Sequence, residues 1–419
     1  MVHQFDKEED YKNYNTICSN FDYYPTVISH KERVIGIGDI HGDMELAIKF
    51  LKIAKVIEEV PNKYFKDKQI KEHKYLLKII NNTVEHEINE SNFDLIEKQP
   101  ELIYRYYEVY DSDNKLDDYY VKIIQDGDRW FKWIGGKTYV VQVGDQIDRC
   151  RPFGTNTCTN KITTKDDEDS DLAIMLFYDS ISKIAKKYNG ALYNLLGNHE
   201  IMNISGDMRY VSNKGLIEFS PEPKDLQSGY EIRKKVFESV ISKKMACTRA
   251  MVLIIGDYLF VHGGIANKLA FKYKLLDINQ IIRQYLYSMK SNKDIHNLLN
   301  SSKLSPLWYR ELAYIPPDIN GQKDIKCNTL YKPIIESINK TNNPIIKIKG
   351  MIIGHTPQFT VFGKGITTAC DNNLIRVDIG ASKAFSPFDN DINKSAREAQ
   401  VIELLRNPKT KETTVYILR

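Results

Sequence analysis

Asp39, His41, Asp145, Asn198, His262 and His355 are the residues of this chain best suited to hold metal ions. They fall in five short stretches: Gly38-Asp39-Ile40-His41-Gly42-Asp43, Gly144-Asp145-Gln146-Ile147-Asp148-Arg149, Gly197-Asn198-His199-Glu200, Val261-His262-Gly263-Gly264 and Gly354-His355-Thr356. Each follows an apolar run, so each donor is expected at the end of a buried strand, at one edge of a packed sheet structure. Mixed oxygen and nitrogen donors suit Mn, Fe or Zn better than Mg, and the lack of sulfur argues against a structural zinc. Six donors with one shared aspartate are enough for two ions about 3.5–4 Å apart, the spacing that stabilises attacking and leaving oxygens in displacement at phosphorus.

The same stretches carry groups for the rest of such a reaction. His199 follows Asn198, within reach of the metals, and can give a proton to a leaving oxygen. Asp148 is placed to orient that imidazole and raise its basicity. Arg149 offers a fork matched to two phosphate oxygens, Arg310 is the candidate for a second, and Asn198 is counted with the phosphate binders as well. Singly, each has a bland reading: a lone histidine after a strand is usually a satisfied buried side chain, and a lone arginine a surface group. The ordered recurrence of five motifs favours the chemical reading.

Positioning these groups requires strands over 33–38, 138–143, 191–196, 258–261, 350–353 and 374–379, each an apolar run. Gly144 lets the chain turn sharply so that Asp145 projects past the strand end. Asp43 is expected to cap a helix with an inner stripe of Ala47, Phe50, Leu51, Ala54 and Ile57, ended by Pro61. A second helix spans 172–187, stopped by Asn189-Gly190. Residues 251–255 and 258–261 read as an antiparallel pair turned at Gly256-Asp257, and 400–405 with 413–418 as a closing hairpin. Between 61 and 125 Lys, Glu, Asn and Tyr dominate. This segment reads as an insertion, a cap or appendage, with charged helices over 70–80 and 93–110. The acidic run 166–169 reads as a solvated loop and helix start rather than a metal site.

At 419 residues the chain has ample length for a sizeable core, and it is taken as a single domain, 1–419, carrying that insertion. The net charge of +4 is the small difference between 59 basic and 55 acidic residues, spread along the chain. It gives no argument for nucleic acid or a membrane surface as partner. The charged start, 1–10, and the lack of a long apolar run imply a soluble, cytoplasmic protein without signal peptide or membrane span. Six scattered cysteines with no C-x-x-C pair read as reduced thiols, with Cys150 and Cys158 the one pair spaced to close a loop.

The ordered motifs GDIHGD, GDQIDR, GNHE, HGG and GHT resemble the phosphoprotein phosphatases among the calcineurin-like metallophosphoesterases. The flanking WIGG (133–136), GDMRYVS (206–212), PLWYR (306–310) and VDIGAS (377–382) are similar to the bacterial-type, Shewanella-like branch. The likeness covers about 30–60 and 130–385. It implies an α/β fold of two mixed β-sheets packed as a sandwich with flanking helices. It implies one metal on Asp39 and His41, Asp145 bridging, and the other metal on Asn198, His262 and His355. His199 with Asp148 would be the acid pair and Arg149 would bind phosphate, while a metal-bridging hydroxide attacks without a phosphoenzyme intermediate. Cys150 departs from the glycine usual after the arginine, and the insertion leaves substrate identity open. The expected activity is a two-metal phosphomonoesterase acting on phosphoproteins or phosphopeptides, at Ser/Thr or Tyr. Hydrolysis of nucleotide polyphosphates of the dinucleoside tetraphosphate type, or an inactive phosphate-recognising scaffold, are the alternatives. Oligomeric state is not legible.

Overall fold

The structure, a computed structural model, describes residues 4–19, 21–75, 104–123, 127–152, 154–222, 225–342, 347–389 and 391–419. Its first sheet runs in the order Arg249–Ala250, Ala191–Leu195, Tyr139–Gln142, Arg33–Ile37, Val401–Arg406, Thr413–Leu418. The first four strands are parallel, and the C-terminal hairpin closes the edge antiparallel. The second sheet runs Val27–Ile28, Val252–Ile255, Tyr258–Val261, Gly350–Ile353, Leu374–Arg376, Thr367–Ala369. Three of its strands, Tyr258–Val261, Gly350–Ile353 and Leu374–Arg376, are parallel. Strands covered on both faces must be apolar throughout, and Val252–Ile255, Tyr258–Val261 and Gly350–Ile353 are buried along their whole length.

The period-two alternation of side chains assigns each face of the first sheet to a different layer. Val34, Val141, Leu195 and Ile402 meet Leu253, Leu259 and Phe260 of the second sheet in one apolar cluster, the interior of a sandwich. Ile35, Ile37, Val140 and Leu192 point the other way, onto the helices Met44–Ile53 and Asp171–Lys187. Asp43 caps the first of these, its Oδ1 accepting from Leu46 N–H at 3.1 Å. That helix stops at Ile53, earlier than expected, and Ile57 belongs to the strand Ile57–Val60. The apolar spacing runs on past the helix because the strand buries Ile57 too.

The expected helices of the 61–125 segment are corrected. Its described residues form Gln69–Tyr75, Tyr104–Tyr110 and Leu116–Ile123, which join Ile57–Val60 and Arg129–Trp133 in a five-stranded antiparallel sheet. The remainder of the expected helices, 76–80 and 93–103, lies outside the described residues. Tyrosine and valine favour a pleated surface, and the charges that suggested a helical face instead pair across strands. Glu108 meets His73 at 3.0 Å and Arg105 meets Glu72 at 3.3 Å. The sheet lies against the Asp171–Lys187 helix, with Phe131 and Phe177 rings 5.3 Å apart.

The reduced-thiol reading is corrected too. All six cysteines are paired, Cys18–Cys247, Cys150–Cys158 and Cys327–Cys370. Two of these pairs span 229 and 43 residues, separations at which only the fold brings partners together. Among the described residues, no helix is long and apolar enough to cross a membrane.

Candidate active site

Six strands deliver their following residues to one edge of the sandwich. Arg33–Ile37, Tyr139–Gln142 and Ala191–Leu195 lead to Asp39, Asp145 and Asn198. Tyr258–Val261, Gly350–Ile353 and Leu374–Arg376 lead to His262, His355 and Asp378. His41, Asp145, Asp148 and His355 all have left-handed backbones, with φ of 49°, 55°, 73° and 67°. Such conformations are costly for residues with a Cβ and persist where the surroundings over-determine them. Here the surroundings are explicit. The Asp145 carbonyl accepts from Ile40 and His41 N–H at 2.9 and 3.0 Å, and the Glu200 carboxylate accepts from Asp145, Gln146 and Gly197 N–H at 3.0, 2.8 and 2.7 Å. Gly144, at φ 102°, faces Gly197 so closely that a Cβ would lie 2.5 Å from its nitrogen.

The donors converge on Asp145. Its Oδ2 lies 3.2 Å from His262 Nε2, 3.8 Å from His199 Nε2 and 3.9 Å from His41 Nε2. Asp39 Oδ2 lies 3.8 Å from His41 Nε2 and accepts His355 N–H at 3.0 Å. Asn198 Oδ1 is 3.0 Å from His262 Nε2. Backbone carbonyls fix two of the rings from behind. His262 Nδ1 faces Val143 O at 2.9 Å and His41 Nδ1 faces Ile147 O at 3.3 Å, leaving both Nε2 atoms toward the carboxylates. Two groups, His41 with Asp145 and His199, and Asp145 with His262 and His355, each bring ligand atoms within 4.8 Å of one another.

This arrangement fits divalent cations on its own terms. Asp39 Oδ1, His355 Nε2 and Asp378 Oδ2 are buried without a hydrogen-bond partner, a costly state that a cation relieves for the first two. Burial, with Asp378 and Asp145 nearby, holds the Asp39 carboxyl well above its ordinary range. Burial opposes ionisation of Asp145 as well, but His262, His199 and His41 pull it well below. His262 is its counterpart, raised by Asp145 against the effect of burial. His41 and His355 are held well below the usual imidazole range, by burial first and then by Arg151 and His199 in one case and His262 and Arg310 in the other. A neutral imidazole offers the lone pair that a cation takes.

Beside the donors, His199 Nδ1 meets Asp148 Oδ2 at 2.7 Å. Asp148 is fully enclosed by groups the sequence motifs did not flag. Asn203 Nδ2 donates to both of its oxygens at 2.9 and 3.0 Å, and Arg233 Nη2 stands 3.5 Å from Oδ1 while bonding Asp171 at 2.8 Å. Arg233 is distant in sequence and has no motif around it. Glu200 did carry a signal, an acidic residue three positions after the residue that caps its helix.

The arginines divide. Arg310 spends Nη1 on His355 O and Thr356 Oγ1, at 3.0 and 2.9 Å, at the rim of the site. Arg149 is not brought to the cavity: its side chain is 1% exposed, Nη1 donates to Gly42 O and Nη2 to Asp166 O, both at 2.8 Å, with Glu168 at 3.2 Å. Arg151 is there instead, 4.8 Å over the Phe385 ring and 5.5 Å over that of Tyr210. With Pro152, Phe359 and Phe388 these residues line a cavity of about 300 Å³.

Comparison with known proteins identifies the family. The family model for calcineurin-like phosphoesterases matches residues 32–359. An uncharacterised protein of Acanthamoeba polyphaga mimivirus is 34% identical over 237 residues, 51% of this chain and 90% of its own. Shewanella-like protein phosphatase 2 of Arabidopsis thaliana is 27% identical over 67% of this chain and 72% of its own. Among solved structures, the cold-active protein-tyrosine phosphatase of a psychrophilic Shewanella superposes with a TM-score of 0.50 at 17% identity, covering 95% of this chain and 83% of that one. Strand order, the buried cluster around Asp145 and the family match over most of the chain lead to one conclusion: this chain belongs to the calcineurin-like phosphoesterases.

Proposed function

We propose that the chain is a phosphomonoesterase dependent on two divalent cations, Mn, Fe or Zn, and that it acts on phosphoproteins with a preference for phosphotyrosine. The observation that carries this reading is Asp145 Oδ2 lying within 3.9 Å of the Nε2 atoms of His41, His199 and His262. In it, Asp39 and His41 would hold one ion and Asn198, His262 and His355 the other, with Asp145 available to both. Bound cations supply Lewis acidity toward phosphoryl oxygens and an acidic water at neutral pH. The protein's own share is positioning and proton transfer. Asp148 keeps the His199 ring oriented through Nδ1, so Nε2 is free to give a proton to the departing oxygen. Arg310 holds a phosphoryl oxygen from the rim.

The preference for an aryl ester is supported by the walls next to the site. Phe385 lies edge-on to His41 with centroids 5.6 Å apart, and Tyr210 meets His199 at 4.9 Å. A departing phenol therefore has aromatic surface to rest on, where a serine or threonine chain has little to bury. The test is a panel of phosphotyrosine, phosphoserine and phosphothreonine peptides and a dinucleoside tetraphosphate, assayed with Mn²⁺, Zn²⁺ and Fe²⁺ after chelation. Phosphotyrosine turnover restored by added metal is expected. Turnover that survives chelation, or a nucleotide preferred to every peptide, would overturn the reading. Asp145→Asn should abolish turnover; full activity in that variant counts equally against it.

A further inference from the structure

Phosphate recognition in this site needs a guanidinium with nitrogens to spare, and the two arginines of the 148–151 turn differ in that respect. Arg149 is enclosed, with both terminal nitrogens given to backbone carbonyls and with Glu168 and Asp43 as its counter-charges, at 3.2 and 3.8 Å. These contacts tie the Asp43 helix cap to the 166–168 loop. Arg151 donates only through Nη1, to Asp148 O at 3.1 Å and Cys150 O at 2.7 Å. Its Nε and Nη2 have no hydrogen-bond partner among the described residues. The guanidinium stands over two rings, Phe385 and Tyr210, each of which touches a histidine of the site, His41 and His199.

The turn itself is held in place at Cys150. Cys150 N–H donates to Tyr210 O at 3.1 Å, and Cys150 is linked to Cys158. Two aromatic faces restrict the Arg151 fork without using its donors, which is the preorganisation an oxyanion site requires.

Resting on the reading of this site as a phosphatase, we propose that Arg151, rather than Arg149, binds the phosphoryl group of the substrate. Arg149 is then a structural cation that holds the turn. Burial works against the charge of Arg151, and the carboxylates of Asp145, Asp148 and Asp378 work for it.

The test compares Arg151→Ala and Arg151→Lys with Arg149→Lys in the full-length, metal-loaded protein. The readouts are KM for p-nitrophenyl phosphate, the inhibition constant of inorganic phosphate, bound metal and Tm. Loss of a charged, forked contact predicts that Arg151→Ala weakens both constants about 10- to 100-fold at unchanged metal content and Tm, with Lys recovering part of the loss. Arg149→Lys should lower Tm by several degrees and leave the phosphate inhibition constant of the folded protein in place. Unchanged KM and phosphate inhibition in both Arg151 variants of an active enzyme would overturn the assignment, as would Arg149→Lys weakening phosphate at an unchanged Tm. A wild-type protein that neither hydrolyses p-nitrophenyl phosphate nor binds phosphate overturns the phosphatase reading itself and the assignment with it.

Discussion

Asp148 Oδ2 lies 2.7 Å from His199 Nδ1, and the other side of the same carboxylate receives Asn203 and faces Arg233. The imidazole is thereby held by a group that is itself immobile. Replacing Asp148 by Asn keeps the shape and removes the charged acceptor that selects the ring's orientation. We expect kcat to fall by about 10²- to 10⁴-fold, the range for a lost general acid, with bound metal unchanged. Steady-state kinetics with metal analysis checks this; a loss of metal in proportion to activity would assign Asp148 a different role.

Glu200 is buried and takes three backbone N–H groups, two of them on Asp145 and Gln146. In Glu200→Gln one accepting oxygen becomes a donor facing another donor. About 1–3 kcal/mol of stability should be lost, and metal affinity should drop about 10- to 100-fold as Asp145 loosens. Isothermal titration with Mn²⁺ and denaturant unfolding measure the two effects. Unaltered affinity would mean that Asp145 does not depend on this clamp.

Burial and the neighbouring Asp145 push the Asp378 carboxyl up to about 6. A raised carboxyl makes its stabilising contribution below the unfolded value near 4 and loses it as pH rises through the folded value. Chelated wild-type protein should therefore weaken between about pH 4 and pH 6 by on the order of 3 kcal/mol at most, relative to Asp378→Asn. Urea unfolding of both proteins across that window tests the sign: the variant should be the more stable at pH 7 and converge with wild type near pH 4. Cations should narrow the gap at pH 7.

Asp43 has two attachments, Oδ1 to Leu46 N–H at 3.1 Å and Oδ2 to Lys383 N–H at 2.8 Å. Asp43→Ala removes a helix cap and a link to the 382–388 segment that carries Phe385. About 1–2 kcal/mol of stability should go with the cap. KM for aryl phosphates should rise more than KM for alkyl phosphates, because the aromatic wall loses its anchor. An equal rise for both would separate the cap from the wall.

Much of this was legible in the chain because it is local. A run such as 350–353 followed by Gly354-His355 states a buried strand, a tight exit and a donor within six residues, and the same grammar recurs at Asp39, Asp145, Asn198 and His262. The third sheet was not legible, since in Tyr104–Tyr110 polar and apolar residues alternate loosely enough to fit either period, and its partners come from 69–75 and 116–123. The pairing of Cys18 with Cys247 depends on packing across 229 residues, which no spacing rule reaches. The direction of Arg149 is of the same kind. Its neighbours Gly42 and Asp166 lie 107 and 17 residues away, and only their placement determines where the guanidinium turns.

His262 leaves one sheet and its Nδ1 reaches the Val143 carbonyl of the other. The ring is therefore a rivet through the sandwich as well as a candidate metal ligand at its edge. Any breathing that parts the two layers pulls on this rivet first, so cation release on heating should precede global melting, and cations in turn should stiffen the whole seam.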